Sequence, residues 1–154
     1  MSKEYRTMNN DVALPYRWSL GPVWTRFFDG LKEETIYGTK CLKCNRVLVP
    51  ARPFCPACYA EMEEWVEIGG QGTVQSWTVV NNSYYGQVKE PPYVMALIRL
   101  DGTDCALCHF IGGIDVSSIE KVRERIQVGT RVKVKWNAEK KASIYDIAYF
   151  EPAG

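Results

Sequence analysis

Two Cys-x-x-Cys pairs constrain this chain more than any other feature. Cys41 and Cys44 are followed, after ten residues, by Cys55 and Cys58. Pairs at this separation can present four thiolates tetrahedrally to a Zn²⁺ ion at about 2.3 Å per bond. The stretch between them, which includes "RVLVP", reads as a strand and its return. Each metal knuckle needs a residue tolerant of positive φ just after its second cysteine. Asn45 meets that need. Tyr59 stands at the equivalent place of the second pair, where a bulky ring is less comfortable, so a different geometry is expected there.

The energetics also favour metal. The cysteine-rich stretch has few large apolar residues to offset ordering costs of about 1.5 kcal/mol per residue, whereas a structural zinc contributes roughly 10–16 kcal/mol. The alternatives are a rubredoxin-type iron site, a pair of disulfides or a metal-free ribbon. With four protein ligands no position is left to activate water, so the zinc is expected to be structural.

The compartment bears on the cysteines. The N-terminus, "MSKEYRTMNNDVALPYRW", is charged and lacks the apolar core of a signal peptide. No run approaches the ~20 apolar residues of a membrane span. A cytoplasmic chain without membrane association is expected, and in a reducing compartment six cysteines suggest metal ligands before disulfides.

A second cysteine pattern points elsewhere. Cys105-Ala106-Leu107-Cys108-His109 contains the chain's one histidine and has the spacing of c-type haem attachment. The pentapeptide falls in a stretch that reads as a strand, where residues three apart point to opposite faces. Both thiols could not then reach one porphyrin edge. No haem is expected; Cys105 and Cys108 read as small buried thiols, and His109 as a strand residue near a barrel mouth.

The rest of the chain sorts by periodicity. Residues 1–20 read as an irregular polar lead-in with Pro15, Tyr16 and Trp18. Val23, Trp24, Phe27, Phe28 and Leu31 then recur at helical spacing, with Pro22 suited to a first turn. This predicts a helix over 22–34 that covers a core or, through its aromatics, docks a partner. From Gly69 the pattern is β. Strands are expected over 72–80 and 93–100, in "CALCHFIGG", over 130–136 and over 143–152. The apolar run from Tyr93 to Ile98 predicts burial on more than one face. A helix is expected over 117–127, with Ser117 and Glu120 as a capping box, Ile119, Val122 and Ile126 as its apolar stripe, and Gly129 as its stop. In 130–136, Val132, Val134 and Trp136 should face in, with Arg131, Lys133 and Lys135 facing out.

Three strands, a helix and two strands is the element order of an OB-fold barrel. The expected fold is mostly β with an N-terminal helix: a helical segment over 1–36, a rubredoxin-like zinc ribbon over 37–66 and a five-stranded OB-fold barrel over 67–154. Catalytic constellations are missing: one histidine has no clear nucleophile beside it, and "GGQG" at 69–72 precedes no helix.

A helix, a four-cysteine ribbon and an OB barrel in this order resemble the family called "domain of unknown function 35". The resemblance covers residues 22–152 and rests on "FFDGLKEETIYGTKCLKCNRVLVPARPFCPACY", "WVEIGGQGTVQSWTVV" and "PPYVMALIRLDG". It implies a non-catalytic accessory subunit beside a thiolase-superfamily enzyme of acyl-CoA metabolism, which would supply the nucleophilic cysteine and the base. Within the family the chain is similar to the small subunits of benzoylsuccinyl-CoA thiolases of anaerobic toluene breakdown. The resemblance makes Cys41, Cys44, Cys55 and Cys58 zinc ligands. Lys40, Lys43, Arg46 and Arg52 could meet coenzyme A phosphates; solvated surface charge is the more frequent explanation for such residues. Trp77, Tyr84 and Tyr85 lie in or near the first barrel loop, a customary binding edge, where they could face an acyl-CoA, a partner or only their own core.

Two other classes compete. Zinc ribbons and OB folds also bind single-stranded nucleic acid, using aromatic platforms and a basic groove. A formal net charge of +1 argues against that, since phosphate affinity comes largely from cationic contacts. A free-standing acyl-CoA-binding protein is the third class.

Overall fold

The computed structural model describes residues 15–153. Residues 1–14 of the expected lead-in lie outside the described residues. Residues 15–20 form no regular element, and Tyr16 and Trp18 are exposed.

Helix α1 spans Gly21–Lys32 with Pro22 in its first turn. It buries Phe27, Gly30 and Leu31, and a Cβ on Gly30 would collide with the Tyr37 ring. The helix stops two residues earlier than its periodicity predicts. The amides of Glu33, Glu34 and Thr35 fold back onto the carbonyls of Gly30 and Leu31 at 2.8–3.0 Å, and Glu34 takes φ 61°. That closure turns the chain directly into the ribbon.

The ribbon is a three-stranded antiparallel sheet. Strand β1 (Ile36–Lys40) lies between β2 (Val47–Leu48) and β3 (Glu64–Ile68). The barrel comes next, with β4 (Gln71–Val80), β5 (Tyr93–Leu100), β6 (Leu107–Ile111), helix α2 (Ile119–Arg125), β7 (Arg131–Trp136) and β8 (Ile147–Pro152). It closes in the order β4-β5-β6-β8-β7. All pairings are antiparallel except β6 with β8, where Ile111 faces Phe150. A register shift between Val74 and Ser76 bends β4, which pairs with both β5 and β7. Such a bulge is how one long strand turns a barrel corner. The fold is thus mostly β, with a cysteine-rich ribbon ahead of a five-stranded OB-type barrel.

One buried cluster joins all three parts: Phe27 and Leu31 from α1, Ile36 and Val49 from the ribbon, and Val94 and Phe150 among the barrel residues. Each large apolar side chain buried there contributes roughly 1.5–3 kcal/mol.

Strand β5 is buried on both faces at its start, as its apolar run predicts: Val94, Ala96, Ile98 and Leu100 point into the barrel, while on the other face Tyr93 is buried and Met95 half-buried before that face opens at Leu97, 42% exposed. Four local expectations for α2 and β8 are corrected. The cap of α2 is Ser118, whose Oγ accepts the Lys121 amide at 3.4 Å. Ser117 instead joins the turn held by Asp115, whose Oδ1 accepts its amide. Gly129 lies beyond the end of α2, in the turn to β7, and its amide donates to Val74; Ile119 is partly exposed, so the buried stripe is Val122 and Ile126. Strand β8 begins at Ile147, because residues Ile144–Asp146 wind into a 3-10 turn capped by Ser143. On β7 the alternation holds, with Val132 buried, Val134 and Trp136 half-buried, and Arg131, Lys133 and Lys135 exposed. Among the described residues no helix is long and apolar enough to cross a membrane.

Candidate metal centre and ligand face

The two cysteine pairs fold into matching knuckles. In the first, the Cys41 amide donates to the Arg46 carbonyl at 2.9 Å and the Asn45 amide to the Cys41 carbonyl at 2.8 Å. In the second, the Cys55 amide donates to the Ala60 carbonyl and the Tyr59 amide to the Cys55 carbonyl, both at 2.9 Å. Asn45 has φ 59° and Tyr59 φ 53°. The expectation of a different second knuckle is therefore corrected: the hydrogen-bond pattern imposes the same left-handed residue. Tyr59 meets it with its ring in solvent, 86% exposed.

This geometry gathers the four thiols of Cys41, Cys44, Cys55 and Cys58 within 4.8 Å of one another. Cys44 and Cys55 Sγ are 3.6 Å apart, close to the ~3.8 Å edge of a tetrahedron with 2.3 Å metal–sulfur bonds. All six cysteines are free thiols in this structure. Burial pushes the Cys55 thiol up, but the Ala57 and Cys58 amides and the neighbouring thiols outweigh it and bring it down to about 7. Cys58 is pushed up to about 12, chiefly by its hydrogen bond with Cys44. The Cys55 thiol is thus ready to ionise, while the Cys58 thiol holds its proton until a cation compensates its charge. Such a donor set fits a soft divalent metal.

The "CALCH" residues part company. Cys105 precedes β6 and Cys108 lies within it. Cys105 turns toward the ribbon and packs against the metal-site cluster. Cys108 is exposed on the outer face, correcting the expectation that both thiols are buried in one strand. His109 points inward and is 3% exposed. No common edge exists for a porphyrin.

The other named residues fall on two surfaces. Lys40 on β1 pairs with Glu64 at 3.2 Å. Lys43 and Arg46 are exposed on the first knuckle, and Arg52 is exposed beyond β2, its backbone bonded on both sides to the Thr39 hydroxyl. Trp77 is half-buried on β4, in a shallow groove of ≈ 140 Å³ that also touches Met95, Leu97 and Cys108. Tyr84 and Tyr85 are exposed in the β4–β5 loop. Of these three aromatics, Tyr84 lines the hollow between that loop and the β7–β8 loop, a space of ≈ 190 Å³ bounded also by Tyr93, His109 and Tyr145. A second hollow of ≈ 360 Å³ adjoins it, with Val88, Phe110 and Tyr145 common to both. Periodicity did not single out Val88, Phe110 or Tyr145. Phe110 was accessible in principle, because it shares the outer face of β6 with Cys108; Tyr145 was hidden by its strand-like context.

Comparison with known proteins agrees with this architecture. Residues 28–63 match the family model "ChsH2, rubredoxin-like zinc ribbon domain" and residues 65–137 the model "ChsH2, C-terminal OB-fold domain". A DUF35 domain-containing scaffold protein of Pyrococcus furiosus is 30% identical over 68% of this chain and 74% of its own length. One from Methanocaldococcus jannaschii is 34% identical over 43% of this chain and 48% of its own, so the matched region spans about half of that relative. A Thermomonospora curvata protein named probable enoyl-CoA hydratase alpha subunit is 26% identical over 71% of this chain and 32% of its length. Among solved structures, a Sulfolobus solfataricus DUF35 protein of unknown function superposes with TM-score 0.57 and 34% identity, over 74% of this chain and 78% of that one. The Ltp2-ChsH2(DUF35) aldolase gives TM-score 0.59 and 25% identity, over 82% and 91%. With both its ribbon and its barrel matched, and a relative 30% identical over 68% of its length, this chain belongs to the DUF35 family.

Proposed function

We propose that this chain is a zinc-stabilised, non-catalytic accessory subunit of an acyl-CoA enzyme of the thiolase superfamily. The observation that carries the reading is the ChsH2-type ribbon and barrel together with the likeness to the Ltp2-ChsH2(DUF35) aldolase, which by its name joins a DUF35 protein to Ltp2. The relative named as an enoyl-CoA hydratase subunit supports the acyl-CoA setting.

In this reading Cys41, Cys44, Cys55 and Cys58 hold a structural Zn²⁺, which supplies a rigid tetrahedral anchor and no open coordination position. The helical segment to residue 36, the ribbon over 37–66 and the barrel from 67 act as one body, since a single buried cluster runs through them. Lys43, Arg46 and Arg52 stay exposed along the ribbon, where they suit the phosphates of coenzyme A held jointly with the partner. The exposed aromatics Tyr16 and Trp18, next to half-buried Trp24 and Phe28 on α1, suit a protein contact.

The nucleic-acid reading finds less support. Of the three β7 cations, Arg131 is held by both oxygens of Asp101 at 2.7 and 2.6 Å, and Lys133 pairs with Glu151 at 3.3 Å. These carboxylates offset the basic stripe that a phosphate backbone would need.

The test is native mass spectrometry of the tagged chain from its own cells, with metal analysis of the same sample. A thiolase-sized partner and one zinc per chain are expected. The recovered complex should turn over acetoacetyl-CoA or benzoylsuccinyl-CoA only with this chain present. A lone chain, or a partner whose turnover ignores it, sinks the reading; co-purifying nucleic acid or acyl-CoA would point to the other two classes.

A further inference from the structure

We propose that the outer face of β5 and β6, with the two loops beside it, docks a segment of the partner protein that offers an apolar side chain and, next to it, a carboxylate for Lys89. The inference rests on the accessory-subunit reading and adds the place and chemistry of one contact with that partner.

Strand register builds the face. Leu97 stands opposite Ser76 on β4 and Cys108 on β6, and Met95 stands opposite Thr78 and Phe110. Side chains on one side of paired strands line up in such rows. Three hollows adjoin along them, of ≈ 140, ≈ 190 and ≈ 360 Å³. The first two share Met95 and Cys108; the last two share Val88, Phe110 and Tyr145. The result is one continuous apolar strip from the middle of β5 to the β4–β5 and β7–β8 loops.

The strip is open to solvent. Leu97, Tyr145, Val88, Tyr84 and Tyr85, on it or at its loop end, are between 42% and 73% exposed. Scattered exposed apolar residues are ordinary, but a contiguous group marks a protein contact. Aromatic residues and Met are also the types enriched in interface cores. No Asp, Glu, Lys or Arg lines the first two hollows, and Lys89 alone lines the third.

That one cation defines the partner's charge. Among the described residues Lys89 joins no ion pair, whereas Arg131 and Lys133 of β7 are matched to Asp101 and Glu151. Its Nζ lies 5.4 Å from the centroid of the Phe110 ring, over the strip. A partner carboxylate arriving there gains a charge-assisted hydrogen bond from which the apolar contact excludes water. A single ammonium is too little for a nucleic-acid backbone. Phe110 and Cys108 are two residues apart on β6, about 7 Å. The carboxylate and the apolar anchor are therefore near neighbours on the partner, one helical turn or two strand residues apart.

The test uses the natural complex recovered through the tagged chain, with the exposed thiol of Cys108 as a reporter inside the strip. N-ethylmaleimide labelling, read by peptide mass spectrometry, should be at least tenfold slower at Cys108 in the complex than in the isolated chain. Zero-length carbodiimide coupling should join Lys89 to an Asp or Glu of the partner. In competition with the natural chain for the partner, Lys89→Glu should assemble about tenfold less, equivalent to about 1.4 kcal/mol, with zinc content and melting temperature unchanged. Leu97→Lys should weaken assembly similarly; if it does not fold, the labelling and Lys89→Glu decide. An intact complex with Cys108 labelled at the free rate, or with Lys89→Glu competing equally, overturns this proposal alone. A chain recovered without a partner overturns it together with the accessory-subunit reading.

Discussion

The thiol of Cys105 is clasped by the backbone of Val49, with Sγ 3.1 Å from both its amide nitrogen and its carbonyl oxygen. The preceding residue does the same one step along. The Asp104 carboxylate accepts the Val47 amide, and its own amide donates to the Val47 carbonyl, both at 2.9 Å. Two residues of the β5–β6 connection thereby close the free edge of β2 as a short strand would. This clasp fastens the metal ribbon to the barrel.

Cys105→Ala should then lower the melting temperature, while Cys105→Ser should recover most of the loss. Losing these contacts costs about 1 kcal/mol, or ~2–4 °C for a chain of this size. Scanning calorimetry of zinc-loaded protein reads the difference. An equal drop in both variants would mean that packing, not hydrogen bonding, sets the clasp.

Removing one metal ligand tests the ribbon. Cys41→Ser should reduce bound zinc well below one per chain and expose ribbon amides to hydrogen exchange. The barrel amides of β5 and β6 should stay protected, because their ladders do not depend on the metal. Full zinc retention in this variant would show that the four thiols are not the ligand set.

Tyr59 occupies a left-handed backbone position, φ 53°, with its ring in solvent. Tyr59→Asn should relieve that conformation, worth roughly 1 kcal/mol, and match the Asn45 knuckle. A rise of a few degrees in melting temperature is expected; a fall would show that the ring makes contacts that matter.

Phe27 is fully buried where α1 meets the shared core. Phe27→Ala should destabilise the chain by about 3–5 kcal/mol. Urea titration would show it as a lower midpoint. Leu42→Ala, at an exposed knuckle tip, should leave the midpoint nearly unchanged.

Burial holds the His109 pKa below its usual 6.5, despite the opposing pull of the Ile144 carbonyl. Between the folded and unfolded pKa values the unfolded chain binds more protons, so stability rises with pH there. The contribution of neutral His109 is full above about 6.5 and declines as pH falls toward the folded value. As the chain's one histidine, it can be followed by NMR without assignment. A midpoint at or above 6.5 would contradict its burial.

The sequence by itself determined what depends on period and spacing. The cysteine intervals prescribe two knuckles because each spans only a few bonds. Alternation along β7 and the helical repeat of α1 mark their buried faces, because backbone geometry sets which side chains share a side. The order of elements was enough to imply the barrel. What the tertiary structure decided is where separate loops meet. Closing β6 against β8 brings Tyr145 and His109 to the β4–β5 loop, and seating the barrel on the ribbon turns Cys105 from a strand thiol into a clasp. Tyr59 adopts the left-handed knuckle although local preference opposes it, since the amide–carbonyl pattern around four converging thiols outweighs the preference of one residue. Contacts between residues far apart along the chain leave no local period, and only the closed fold brings them together.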